Sequence, residues 1–137
     1  MILLDANILY ALAEAETGSR RLRGVIAARS PILVSDWTIA ETVGAIGQQL
    51  RERKLTREVA EGLLAEIDSW LGGLRREGVE AQDIRRAEAL LRPMSINLRA
   101  ADALYIAIAE RLGAALATRD GKLAAAVEVL GIEVVRP

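Results

Sequence analysis

The sequence predicts an α/β fold in which a short, mainly parallel sheet is covered by helices on both faces, and three observations predict it. Short apolar runs at residues 2–4, 32–34, 114–118 and 132–135 alternate with longer segments of helical periodicity. Within those runs the apolar residues are consecutive, the pattern of strands buried on both sides. No hairpin signal joins one run to the next, so each crossover must pass through a helix, which makes the pairing parallel. With 52% apolar residues and no linker-like tract of Pro, Gly or Ser, residues 1–137 read as a single domain without an internal repeat.

Residues 2–4 form the first strand and end in Asp5-Ala6-Asn7, after which Ile8, Leu9, Leu12 and Ala13 begin a helix. Asp5 then stands at the carboxyl end of a strand, the edge where open parallel sheets bind ligands. The plainer reading, Asp5 or Asn7 as a helix cap, has equal standing. Thr17-Gly18-Ser19 reads as a break, followed by a helix to about Ala28 whose Arg20, Arg21 and Arg23 form a solvated face or a phosphate contact. Pro31 opens the second strand, and Asp36 reads as the N-cap of the next helix. In that helix Ile39, Val43, Ile46 and Leu50 make the core stripe. Glu41 projects to the opposite side beside Trp37, Gly44, Ala45 and Gln48, and is the only charge between Asp36 and Arg51. That surrounding suits the lip of a cleft better than an ordinary solvent face.

Residues 51–77 are charged and helical, interrupted near Leu55-Thr56, with Thr56 as a cap and Gly72-Gly73 loosening the end. Arg51, Arg53, Lys54, Arg57, Arg75 and Arg76 are interleaved with Glu52, Glu58, Glu61 and Glu66, so pairing along helix surfaces is expected. Residues 78–80 read as a brief strand and 83–91 as a helix ended by Arg92-Pro93. With Asn97 as its cap, the next helix carries Ala101, Leu104, Tyr105, Ile106, Ile108, Ala109 and Leu112 on nearly every side, as a helix enclosed by protein does. Asp102 is its only acid before Glu110, and an acid inside a buried helix is costly unless something pairs with it. Gly113 stops the helix, and the strand that follows closes in Arg119-Asp120. Asp120 is placed to cap a last amphipathic helix of Leu123, Ala124, Val127 and Leu130, which Gly131 ends before the final strand.

Composition narrows the chemistry. The chain has no cysteine, which excludes disulfides and thiolate metal sites. It has no histidine, which excludes histidine-activated serine or cysteine nucleophiles, paired-histidine ribonuclease chemistry and the common zinc sites. Hydrolysis would have to come from carboxylates, with or without a metal. Eighteen basic residues against 19 acidic ones leave a net charge of -1, so only local patches could attract nucleic acid. High apolar content with 3% aromatics suggests faces covered by a partner, and a second copy of the chain is the simplest one. No uncharged run approaches the roughly 20 residues of a membrane span, and Met1 leads straight into a strand, so a soluble cytoplasmic protein is expected.

The blocks LLDANIL, SDWTIAETVGAI with its lone glutamate, and RAADALYIAIAERLGAALATRD followed by a helix and GIEVV resemble a PIN-domain nuclease, and closely the VapC-type toxins of toxin–antitoxin modules. The resemblance spans residues 1–135, with residues 51–94 matched only in helical character. It implies a compact three-layer α/β/α sandwich around a parallel sheet, and divalent-metal ribonuclease activity. It places the acidic site on Asp5, Glu41, Asp102 and Asp120, with Asn7 and Thr118 as polar support. It also implies homodimers and an antitoxin peptide that enters the cleft.

Four carboxylates gathered without a histidine or buried lysine repel one another unless a cation sits among them. Mg2+ or Mn2+ suits an all-oxygen pocket, keeps waters, and leaves room for a phosphate oxygen. Direct ligation is expected of Asp5 and Asp102. Asp120 completes the shell directly or through water, and Glu41 orients the attacking water or holds a second ion. Arg99 and Arg119 flank site acids and are candidates for phosphate or antitoxin contact. A receiver-type phosphoaspartate switch fits poorly, because Ala6 follows Asp5 and no lysine follows the last strand. A haloacid-dehalogenase-like phosphatase fits poorly because Asn7 stands where its second aspartate belongs. The remaining rivals are a non-catalytic PIN-fold binding module and a housekeeping PIN nuclease without an antitoxin.

Overall fold

Five parallel strands form one sheet: β1 (Ile2–Leu4), β2 (Ile32–Ser35), β3 (Arg75–Glu77), β4 (Ala115–Ala117) and β5 (Val134–Val135), in the order β3-β2-β1-β4-β5. The computed structural model describes residues 1–14, 17–95 and 97–137. Among them run the helices α1 (Ala6–Ala13), α2 (Thr17–Ala27), α3 (Asp36–Arg51), α4 (Arg57–Leu71), α5 (Ala81–Leu91), α6 (Ala100–Leu112) and α7 (Gly121–Val129).

Side chains along each strand alternate between two apolar layers, although every residue of the inner strands except Ser35 is apolar. Ile2, Leu4, Val34, Ala115 and Ala117 face a cluster with Ile8, Leu9 and Leu12 of α1, Ile46 of α3 and Ile67 of α4. Leu3, Leu33 and Leu116 face the opposite cluster, with Leu90 of α5, Ile106 and Ile108 of α6, and Val127 of α7. The result is the expected three-layer α/β/α sandwich. β1 is fully enclosed, with Leu3 in register with Leu33 on one side and Leu116 on the other. The chain order reverses across the β1–β4 pair, and in open parallel sheets a crevice opens at the carboxyl ends of such a pair.

Several local readings change. β3 lies at residues 75–77 rather than 78–80. It is an edge strand held by its pairing to β2, and its exposed, charged Arg75 and Arg76 give no apolar signal. Thr17-Gly18-Ser19 belongs to the first turns of α2 rather than to the break after α1, which ends at Ala13. The side chains of Arg20 and Arg21 lie outside the described residues. Arg23 is not merely solvated: its guanidinium donates to the Leu12 carbonyl at 3.2 Å and stacks 5.1 Å from the Trp70 ring.

The cap of α3 is Ser35, whose hydroxyl accepts from the Thr38 amide at 3.0 Å, while Asp36 pairs with Arg76 at 2.6 Å. The buried stripe of that helix is Thr38, Thr42 and Ile46, and Val43 is 41% exposed. Two threonines can be buried because their hydroxyls donate inward, Thr38 to the Leu4 carbonyl at 2.9 Å and Thr42 to the Thr38 carbonyl at 2.7 Å. Arg99, not Asn97, caps α6. Gly113 and Gly131 end α6 and α7 at φ 60° and 75°, where a Cβ would be strained.

One buried ion pair joins α5 to α6. Asp83 is fully buried and receives Arg111 at 2.7 and 2.9 Å, and the same guanidinium donates to the Gly78 carbonyl at 2.9 Å. Removing one member of a buried pair strands the other. Asp83→Ala should therefore lower the unfolding free energy by about 3 kcal/mol in urea titrations. Glu61→Ala, which breaks an exposed 3.9 Å pair with Arg57, should leave it unchanged within error.

Candidate active site

The site forms where β1 and β4 end. Asp5 follows β1 directly, and its amide continues the sheet by donating to the Ala117 carbonyl at 3.1 Å. One carboxylate oxygen caps α1, accepting from the Ile8 amide at 3.0 Å, and the other accepts from the Asn7 side-chain amide at 2.7 Å. Asp120 repeats the arrangement after β4. Its Oδ1 accepts from the amides of Lys122 and Leu123 at 2.8 and 3.1 Å, and its Oδ2 is left to the cleft. Capping and a cleft role are thus compatible for both aspartates, because the cap fixes one oxygen and thereby aims the other.

Two further contacts hold the strand ends together. Asn7 Oδ1 accepts from the Arg119 amide at 3.1 Å, and the buried Thr118 hydroxyl accepts from the Asp120 amide at 3.0 Å.

The helices bring the remaining acids. Asp102 lies in the first turn of α6, where Arg99 holds both of its oxygens: Nε to Oδ2 and Nη2 to Oδ1, each at 3.0 Å. The same Nη2 is 3.6 Å from Asp120 Oδ2. Glu41, on α3, accepts from the Tyr105 hydroxyl at 2.8 Å, and that hydroxyl accepts from the Ala6 amide at 3.0 Å. Tyr105 therefore links α6, α3 and the start of α1. In the sequence it reads only as part of a buried stripe. The signal available there is that a hydroxyl on an enclosed apolar helix needs a partner.

Asp5, Glu41, Asp102, Asp120, Arg99 and Arg119 all line one cleft of about 450 Å³, with Asn7 beside them and Thr118 behind the wall. Glu14 adds a fifth carboxylate, so among the described residues five acids face two arginines. Burial pushes the Asp5 carboxyl up to about 6, the nearby charges of Glu41 and Asp120 adding to the rise, while the Thr118 hydroxyl and the Ile8 amide oppose it. Burial and the Glu41 charge push the Tyr105 phenol upward as well, so it remains a neutral donor. Among the described residues, no group of three or more acidic side chains is arranged to hold a metal ion, and the cation beside Asp102 and Asp120 is the Arg99 guanidinium.

A sequence profile of the PIN domain matches residues 2–129. No curated protein matches the sequence. Solved structures share its fold at low identity. VapC20 of Mycobacterium tuberculosis, a toxin that cleaves the sarcin–ricin loop, is 21% identical with a TM-score of 0.71, over 100% of both chains. VapBC2 of Rickettsia felis, bound to a DNA fragment from its promoter, is 18% identical with a TM-score of 0.74, over 98% of both chains. A toxin–antitoxin complex from Klebsiella pneumoniae is 23% identical with a TM-score of 0.66, over 100% of this chain and 98% of that one.

The raised Asp5 value has a measurable consequence. Because it lies above the unfolded value, the folded chain holds that proton more tightly, and the associated stability is present below about pH 4 and lost as pH rises through about 6. A shift of that size corresponds to about 3 kcal/mol. In EDTA, Asp5→Asn should gain stability over the wild type between pH 4 and pH 8, approaching that amount, as read from urea midpoints across the range.

Proposed function

The chain belongs to the PIN domain family, and from that premise we propose that it is a divalent-metal-dependent endoribonuclease, the toxin of a toxin–antitoxin pair acting in the cytoplasm. The observation that carries this reading is the convergence of Asp5, Glu41, Asp102 and Asp120, distant in sequence, on one cleft at the carboxyl ends of β1 and β4. The acids among the described residues of the cleft outnumber its arginines and would repel a phosphodiester, so an RNA substrate needs added positive charge beside them.

The donor chemistry suits a hard cation. All candidate ligands are carboxylate oxygens, and Asp5 is buried beside other carboxylates with its own carboxyl pushed upward, the condition a bound cation relieves. Asp5, Asp102 and Asp120 would hold Mg2+ or Mn2+, which when bound supplies an acidified water and charge to offset that developing on the phosphoryl oxygens. Glu41, held by Tyr105, orients the attacking water and takes up its proton. Asn7 and Thr118 keep Asp5 and Asp120 in place, and Arg119 contacts the phosphate.

Two surfaces suit the partners this reading requires. An apolar groove of about 420 Å³ between α1 and α4, lined by Ala13, Leu55, Val59 and Leu63, runs into the acidic cleft through Tyr10 and Glu14. It would take an antitoxin segment whose end reaches the acids. A second groove, of about 540 Å³, lies between α5 and α6, lined by Trp37, Ile84, Leu91 and Leu104, with Ile84 54% exposed. A second copy of the chain would cover it. Among the described residues no helix is long and apolar enough to cross a membrane.

The purified chain should cleave total cellular RNA with Mg2+ or Mn2+ and stop in EDTA. Asp5→Asn and Asp102→Asn should each reduce the rate at least about 100-fold with circular dichroism unchanged, since each removes a carboxylate that would hold the ion on which the phosphate chemistry depends. Tyr105→Phe should cost about 10- to 100-fold, the usual effect of losing a support behind a site. Cleavage insensitive to EDTA, or full activity in both aspartate variants, overturns the assignment. Ile84→Glu should convert a dimer to a monomer in light scattering, and a monomeric wild type would refute that surface.

A further inference from the structure

We propose that Arg99 is a built-in countercation of the acidic cleft: it neutralises Asp102 and Asp120 in the ion-free chain and must leave them before a divalent ion can bind. Arg99 thereby sets the metal concentration at which the site loads. This inference rests on the reading of the cleft as a metal site.

The geometry is specific. Arg99 is the N-cap of α6, and Asp102, three residues on, is reached by the guanidinium in a two-pronged contact with both carboxylate oxygens at 3.0 Å. The same Nη2 reaches toward Asp120 Oδ2 at 3.6 Å, so one cation spans two acids brought together from α6 and the end of β4. A planar fork of this kind occupies the lone pairs an ion would use on Asp102. Ligation by Asp102 and contact with Arg99 therefore compete.

Release is feasible because the two partners differ in exposure. The Asp102 side chain is 10% exposed and held in the wall, whereas that of Arg99 is 73% exposed at the mouth of the cleft. The arginine can swing toward solvent while Asp102 stays in place, still accepting from the Arg99 backbone amide at 3.3 Å. Once displaced, its charge remains at the entrance, on the side from which a polyanion would approach.

The test compares Mn2+ binding by the wild type, Arg99→Gln and Arg99→Lys, using electron paramagnetic resonance of free Mn2+ and urea stability with and without the ion. Arg99→Gln should bind Mn2+ about three- to tenfold more tightly, a modest factor because the guanidinium that must leave is itself largely solvent-exposed. It should also be less stable than the wild type in EDTA, and Mn2+ should narrow that gap. Arg99→Lys, which keeps the charge but not the fork, should fall between the two and serves if the glutamine variant does not fold without metal. Unchanged or weaker Mn2+ binding in Arg99→Gln, or in Arg99→Lys where only that variant folds, overturns the inference. If the wild type then binds Mn2+ and Asp5→Asn does not, the metal reading survives and only the role of Arg99 falls. If no form binds Mn2+, both fall.

Discussion

Mutual repulsion among carboxylates at the carboxyl edge of a buried sheet is the constraint on which the rest of this structure depends. A parallel sheet enclosed on both sides leaves its strand ends as the place where polar groups can emerge from the core, and here the two inner strand ends emit Asp5 and Asp120 side by side. Each is held by a helix cap, and the Asp5 carboxyl is displaced upward chiefly by its burial, with the charges of Glu41 and Asp120 adding to the rise. Hydrogen bonds from Asn7, Thr118 and Tyr105 position the groups without removing their charge. Among the described residues, Arg99 alone supplies a positive charge in contact with two of them.

The helices serve this edge as much as they serve the core. α6 is enclosed from Ala103 to Ala109, which fixes the height at which its first turn presents Asp102. Tyr105 on the same helix reaches across to α3 and sets the orientation of Glu41. α3 in turn is locked to β1 through the Thr38 hydroxyl on the Leu4 carbonyl, one residue before Asp5. Packing against the two apolar layers, rather than local propensity, thus determines the relative positions of the acids to within hydrogen-bond lengths. A displacement of one helix would alter the charge balance of the whole cleft.

The acidic cleft and the two apolar grooves occupy different parts of the surface, but one groove is continuous with the cleft. Tyr10 and Glu14, at the end of α1, line both. A partner seated between α1 and α4 would therefore influence access to the acids without touching the sheet. In the proposed reading, inhibition by a partner and loading of the ion act on the same small set of charges.

The resemblance carried by the sequence motifs pointed to Asp5, Glu41, Asp102 and Asp120 but not to Glu14, which also lines the cleft. Sequence alone determined the strand and helix order, the enclosure of α6 and the glycine stops at Gly113 and Gly131. These follow from apolar periodicity, left-handed glycine positions and residue type, which are local properties. It left undecided whether Asp5 and Asp120 were caps or faced a site, and the tertiary structure makes them both. It placed β3 three residues too late, because an edge strand held by a neighbour's backbone needs no apolar pattern. It misread Val43 as core and passed over Thr38 and Thr42, whose burial rests on hydroxyls that donate to the Leu4 carbonyl of β1 and to the Thr38 carbonyl one turn back. The contact of Arg99 with Asp120, and that of Tyr105 with Glu41, could be decided only by the fold, since each joins residues from separate elements whose distance is set by packing.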